Sequence, residues 1–285
     1  MRTVTLPDRS TRVPALGLGT WRMGEVARRR QDEVAALRLA IELGYRLIDT
    51  AEMYGEGGAE QVVGQALAEA LRAGTLSRDE LFIVSKVYPH NASRAGVVAA
   101  CERSRKRLGL DRIDLYLLHW AGSYPIAETI AGFETLCEHG RIAHWGVSNF
   151  DADDMESVVT ATHGQRCAAN QVYYSVAQRA PEFALLPWQR ARGMPLMAYC
   201  PIDQGDLASS RALQALADAR GATAAQLALA WLVAQPGVIA IPKAAREDHL
   251  RENLAAADQT LTEGELAAID KLFPAPRKKT ALAMR

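Results

Sequence analysis

Eight short apolar runs, each separated from the next by a helix-like segment, recur along the chain and constrain its fold more than any other feature. The runs are Ala15–Thr20, Tyr45–Thr50, Leu81–Lys86, Ile113–His119, Ile142–Asn149, Ala168–Val172, Leu196–Tyr199 and Val238–Lys243. Between them lie stretches such as Asp32–Leu43, Glu60–Leu71, Arg94–Leu108, Ala127–Glu138 and Ala224–Ala234, in which apolar residues return every three or four positions. This alternation is the sequence form of βα units feeding a parallel sheet. With Thr20, Asp49, Lys86, His119, Asn149, Gln171, Tyr199 and Lys243 as strand ends, the intervals are 29, 37, 33, 30, 22, 28 and 44 residues. Each holds a loop, a helix and a strand, and the longest has room for an extra helix, Arg211–Arg220. Eight units predict an α/β fold, a closed (β/α)8 TIM barrel, in preference to an open doubly wound sheet. Gly17-Leu18-Gly19 lacks the third glycine of a dinucleotide-binding fingerprint, which agrees with that choice. Ahead of the first run, Thr3–Ser10 reads as an N-terminal β-hairpin that plugs the barrel floor. No linker divides the chain, so one domain over 1–285 is expected.

The 33 Lys and Arg residues balance the 33 Asp and Glu, leaving no basic excess for phosphates of nucleic acid or an anionic membrane. A small neutral or weakly anionic substrate is expected instead, and a monomer. Cys101, Cys137, Cys167 and Cys200 lie far apart without a CxxC pair and read as free thiols in a reducing cytosol. Met1–Ser10 has no apolar signal core, and no stretch approaches about 18 uninterrupted apolar residues, so a cytoplasmic protein is expected.

In barrels of this kind the reacting groups stand at the carboxyl ends of the strands. Here those ends carry Asp49, Lys86, His119, Asn149 and Gln171, joined by Tyr54 on the loop after Asp49 and by Tyr199 on the seventh run. Ionisable residues that finish apolar strands must find partners, and a shared site is the economical arrangement. A phenol is a poor acid near neutrality, but an adjacent ammonium lowers its pKa, a role open to Lys86. Asp49 would hold that ammonium charged. His119 would orient a carbonyl oxygen, and Tyr54 would give it a proton as negative charge develops. No side chain supplies a hydride, so a reduction requires a nicotinamide cofactor.

The stretch Gly44-Tyr45-Arg46-Leu47-Ile48-Asp49-Thr50-Ala51-Glu52-Met53-Tyr54-Gly55, continuing through Glu60 and Val63-Gly64, resembles a signature of the aldo-keto reductases. Ser85-Lys86, Leu117-Leu118-His119, Gly146-Val147-Ser148-Asn149-Phe150, Asn170-Gln171, Ala198-Tyr199 and Ile241-Pro242-Lys243 extend the likeness over almost the whole chain. It is nearest to short bacterial members that reduce methylglyoxal or diketogluconate. The resemblance implies a catalytic tetrad of Asp49, Tyr54, Lys86 and His119. It further implies that Ser148, Asn149 and Gln171 bind the nicotinamide carboxamide, that Tyr199 stacks on its ring, and that the loop from Cys200 follows the pyrophosphate. Lys243 would meet the adenosine phosphate, and Glu252 and Asn253 would reach the adenine. Trp21 and Trp120 would line the substrate pocket.

Two departures bear on the cofactor. Where many members have serine after the lysine and arginine six positions beyond it, this chain has Ala244 and His249. The expectation is therefore NADPH, with weaker but measurable use of NADH. Trp120–Pro125 is brief and about a dozen residues follow Leu272, which implies short loops and an open pocket. Metal catalysis has little support, because Ala15–Thr20 offers no His or Asp ligand, and a retaining glycosidase would need a second strand-end carboxylate beside Asp49. A Schiff-base lyase using Lys86 or Lys243 and a nicotinamide-binding regulatory subunit without turnover remain as alternatives.

Overall fold

The computed structural model describes residues 2–74 and 76–284; Met1, Thr75 and Arg285 lie outside the described residues. Runs buried on both faces pair in parallel to form a sheet of eight strands among the described residues: β3 (Leu18–Gly19), β4 (Leu47–Asp49), β5 (Phe82–Val87), β6 (Ile113–Leu118), β7 (Ile142–Ser148), β8 (Asn170–Tyr173), β9 (Leu196–Tyr199) and β10 (Val238–Ala240). Neighbours in space are neighbours in sequence from β3 to β10. Isolated parallel bridges Leu16↔Ala240 and Gly19↔Lys243 join the first strand to the last, closing the barrel. A Cβ on Gly17 would lie 2.1 Å from the Leu47 side chain, and one on Gly19 would lie 3.0 Å from the Ile241 carbonyl. The glycine pair therefore serves close approach at the seam of the barrel. At this seam the ladder is short: the first strand covers two residues of the run Ala15–Thr20 and the last stops at Ala240, three short of Lys243, with the rest of the contact made by those single bridges.

The floor is plugged by β1 (Thr3–Thr5) and β2 (Arg12–Pro14), paired antiparallel. The hairpin thus runs further than Thr3–Ser10. Asp8 explains the shift, because its carboxylate accepts from the Ser10 and Thr11 N–H groups and from both hydroxyls, holding 6–11 as the turn. Leu6 and Val13 pack into the inner barrel core with Leu47, Val84, Leu115, Leu117, Met197 and Ile239.

Around the wall stand α1 (Arg30–Leu43), α2 (Gly58–Arg72), α3 (Arg94–Leu108), α4 (Ile126–Glu138), α5 (Ala152–Thr160), α6 (Leu185–Ala191), α7 (Arg211–Asp218), α8 (Ala224–Ala234), α9 (Glu247–Ala256) and α10 (Glu263–Leu272). Side-chain caps fix several starts: Asp151 accepts from Asp153 and Asp154, and Thr223 and Thr262 form capping boxes with Gln226 and Glu265. The extra helix in the long interval is α7. No helix among the described residues is long and apolar enough to cross a membrane.

Candidate active site

Side chains alternate between the two faces of a strand, and that period of two selects what reaches the barrel mouth. On β5 the inner register runs Phe82, Val84, Lys86, while Ile83 and Val87 pack outward against helices. Leu47 passes it to Asp49, Leu117 to His119, Ala169 to Gln171 and Met197 to Tyr199. One register thus carries both the apolar barrel core and the polar residues that finish it.

Those residues meet. The Lys86 ammonium, fully buried, donates to Asp49 Oδ2 at 2.7 Å, to the Thr50 carbonyl at 2.9 Å and to the Tyr54 hydroxyl at 3.1 Å, which uses all three of its donors. Asp49, 2% exposed, also accepts from Gln171 Nε2 at 2.7 Å. Tyr54 is half-buried, and its ring lies edge-on to His119 with centroids 5.7 Å apart. His119 in turn approaches the Trp120 ring at 4.9 Å.

The charges settle accordingly. Burial alone would drive the Lys86 ammonium down, but Asp49 and Tyr54 outweigh it and hold its pKa above the ordinary lysine value. For Tyr54 the balance runs opposite to the expectation from its lysine neighbour: burial raises the phenol, Lys86 pulls it back in part, and Asp49 pushes it up again. The phenol therefore stays protonated at neutral pH. Burial, then the Lys86 charge, lowers His119 well below the usual histidine range, so its imidazole is neutral. Its buried Nδ1 has no hydrogen-bond partner among the described residues.

The ends of β7, β8 and β9 form a second, linked group. Ser148 donates to the Gln171 carbonyl at 2.8 Å, and Asn149 Nδ2 donates to the His119 carbonyl and to Ser148 Oγ at 3.1 and 3.2 Å. The Tyr199 hydroxyl donates to Asn149 Oδ1 at 2.8 Å, while its ring stacks on Tyr173 at 5.7 Å. Asn149 has φ of 64°, a left-handed conformation that asparagine tolerates better than most residues. The loop after Tyr199 is strained too, with φ of 48°, 50° and 58° at Cys200, Asp203 and Gln204.

The remaining candidates sit further round the mouth. Lys243 is exposed where the last strand meets Gly19. Glu252, half-buried, and Asn253, 4% exposed, lie further along α9 and outside the tetrad cluster. His249 is exposed in the first turn of α9, where its own N–H is taken by Asp248 at 2.9 Å. The start of α9 is thus less open to an anion than its sequence suggests, since Glu247 and Asp248 occupy it. Trp21 is half-buried and follows Thr20, whose N–H and hydroxyl both bind the Asp49 carbonyl at 3.0 Å.

Two cations escaped the sequence reading. Arg22 lies over the Trp21 ring at 4.5 Å in a left-handed conformation, φ 65°. Arg246 is the residue before α9, ion-paired with Asp248. Its signal was available, because an arginine immediately before a helix after a strand-end lysine is well placed for an anion. A cavity of about 890 Å³ bordered by Pro7, Glu156, His163, Arg166 and Arg192 lies at the floor, and none of the strand-end residues described above lines it. Among the described residues no cluster of His, Cys, Asp or Glu could hold a metal ion.

A resident nicotinamide dinucleotide can be tested against this donor set. The amides and hydroxyl of Asn149, Gln171 and Ser148 bond one another and their neighbours here, and are the kind of groups a carboxamide exchanges with; Tyr199 offers an aromatic ring on the next strand, and Lys243 with the Asp248-paired Arg246 offers cations beyond the last one. The order along β7 to β10 runs from amide partners to phosphate partners, so the residues fit.

Comparisons with known proteins agree with the geometry. The sequence model of the Aldo/keto reductase family matches residues 15–273. Methylglyoxal reductase YeaE of Escherichia coli (strain K12) is 48% identical over 277 residues, covering 95% of both chains. An aldo-keto reductase from Klebsiella pneumoniae, crystallised with NADPH, superposes with a TM-score of 0.93 at 48% identity, covering 100% of this chain and 99% of that one. A structure of an aldo/keto reductase from the same organism with NADP and acetate gives the same TM-score and identity, covering 99% of each.

Proposed function

The chain belongs to the Aldo/keto reductase family, and on that premise we propose that it is an NADPH-dependent reductase of small aldehydes and ketones, α-oxoaldehydes such as methylglyoxal above all, with Tyr54 as proton donor. One observation carries the reading. Lys86 spends its three donors on Asp49, Thr50 and Tyr54, so the phenol oxygen accepts from the ammonium and its own O–H has no acceptor among the described residues. That proton is left for a substrate oxygen.

Ser148, Asn149, Gln171 and Tyr199 would hold the nicotinamide end of the cofactor and Lys243 and Arg246 its phosphates, and a reduced nicotinamide held there would supply the hydride. The chain's own residues do the rest. Neutral His119, whose Nδ1 has no acceptor, carries its proton on Nε2 and donates it to the carbonyl oxygen, fixing its position. As negative charge gathers there, the far greater basicity of an alkoxide draws the Tyr54 proton. The phenolate left behind lies 3.1 Å from the Lys86 ammonium, which Asp49 keeps charged, so stabilisation grows as the reaction proceeds.

The same pair argues against a Schiff-base lyase at Lys86, because that chemistry needs a neutral amine and Asp49 holds an ammonium. Trp21, Trp120 and His119 would border the carbonyl, and the brief 120–125 loop would leave the pocket open to small substrates. The reading takes the protein as a cytoplasmic monomer of one domain over 1–285, without nucleic-acid or membrane partners. It is tested by following NADPH oxidation with methylglyoxal, nitrobenzaldehyde, glyceraldehyde and simple ketones. Turnover of at least one α-oxoaldehyde is expected, and tight NADPH binding without turnover of any carbonyl would favour a regulatory subunit.

A further inference from the structure

The turn that carries Tyr54 has an unfavourable backbone. Gly55, Glu56 and Gly57 have φ of 58°, 51° and 88°, and at Glu56 a side chain must be accommodated in the left-handed region. Such a turn persists only where its surroundings fix it. Two buried carboxylates flank it. Glu52, two residues before Tyr54 and 5% exposed, accepts from the Tyr88 N–H at 2.7 Å and from Asn91 Nδ2 at 3.0 Å. Glu60, fully buried in the first turn of α2, accepts from the hydroxyl of Ser85, the residue before Lys86, at 2.6 Å.

A single guanidinium joins them from outside the barrel wall. Arg107, on α3, donates through Nε to Glu60 at 2.6 Å and approaches Glu52 at 3.9 Å. It also lies against the Tyr54 turn itself, since a Cβ on Gly57 would come within 2.6 Å of its Nε. Glu52 has a second cation, Arg103 at 3.5 Å, but Glu60 has no other ion pair among the described residues.

We infer that Arg107 is a positioning residue for the reaction, setting the distance between the Tyr54 phenol and the Lys86 ammonium by pinning the turn of one and, through Glu60 and Ser85, the strand of the other. It touches neither substrate nor cofactor. Without it Glu60 is a buried carboxylate with no cation, a costly arrangement whose relief loosens Ser85, the start of α2 and the turn. The inference rests on Tyr54 as the acid.

The test is the single-turnover rate constant for NADPH oxidation by methylglyoxal, which counts only folded, cofactor-loaded enzyme, in the parent, Arg107→Met, Arg107→Lys and Ser85→Ala. A merely structural role would reduce the amplitude and leave the rate constant alone. Arg107→Met is expected to lower the rate constant about tenfold or more with the KM for NADPH within about twofold, and Arg107→Lys to recover most of the loss. Ser85→Ala removes no charge and, should Arg107→Met not fold, still reports: a fall of about threefold or more is expected. Rate constants within twofold of the parent in Ser85→Ala and in every Arg107 variant that folds would overturn the inference while leaving the parent's activity and the role of Tyr54 intact. A parent with no turnover would overturn both.

Discussion

Asp49→Asn isolates the electrostatic core of the site. The side chain keeps its shape, but the Lys86 ammonium, fully buried and 2.7 Å from Asp49 Oδ2, loses its only ion-pair partner among the described residues. Removing one member of a buried pair costs about 3 to 5 kcal/mol, because the other charge stays desolvated. At about 2.1 cal/mol/K per residue, the unfolding entropy of 285 residues is about 0.6 kcal/mol/K, so the deficit corresponds to a fall in Tm of about 5 to 8 °C near pH 7. Its pH dependence is more telling. In the parent the folded pKa of Lys86 is raised, so this group's contribution is complete below the unfolded value of about 10.4 and is lost as pH rises through the folded one. In the variant burial acts unopposed by Asp49 and the folded pKa falls below the unfolded one. The unfolded chain then binds more protons, and stability rises with pH up to about 10. Differential scanning fluorimetry from pH 6.5 to 9.5 is expected to show the gap between parent and variant narrowing as pH rises. A gap that is constant, or that widens, would refute the argument that Asp49 keeps Lys86 charged.

If Lys243 meets the cofactor's adenosine phosphate as proposed, Lys243→Met is expected to lose about tenfold in kcat/KM for NADPH while NADH changes little, and the parent is expected to prefer NADPH with measurable NADH activity. EDTA is expected to leave turnover unchanged; inhibition reversed by zinc would point to a metal site. A steroid ketone is expected to be a poorer substrate than methylglyoxal by kcat/KM, and the reverse order would mean that the mouth is more enclosed than its short loops imply.

The barrel and its polar rim were legible because one constraint produces both. A strand buried on two faces reads as an apolar run, and the residue that ends it in the inner register reaches the mouth, so Asp49, Lys86, His119 and Gln171 could be found from position alone. The seam was harder to read. Ala15–Thr20 looks like a full strand, whereas a continuous ladder forms only over Leu18–Gly19, and Leu16 and Gly19 join the last strand through isolated bridges. Arg107 was invisible for another reason: it is 47 residues from Glu60, and nothing local distinguishes it from Arg103, Arg105 and Lys106 on the same helix. The direction of the Tyr54 shift was missed because it is a difference between burial and a nearby ammonium, and only the fold sets their sizes.

The central claim is that the Tyr54 phenol, held by Lys86, gives its proton to the carbonyl oxygen. The most direct measurement is turnover of methylglyoxal by Tyr54→Phe at saturating NADPH, with cofactor affinity followed separately by fluorescence titration. Loss of an interaction made only in the transition state is expected to lower kcat by about a hundredfold or more while NADPH affinity stays within about twofold. A kcat within threefold of the parent would show that the proton comes from elsewhere.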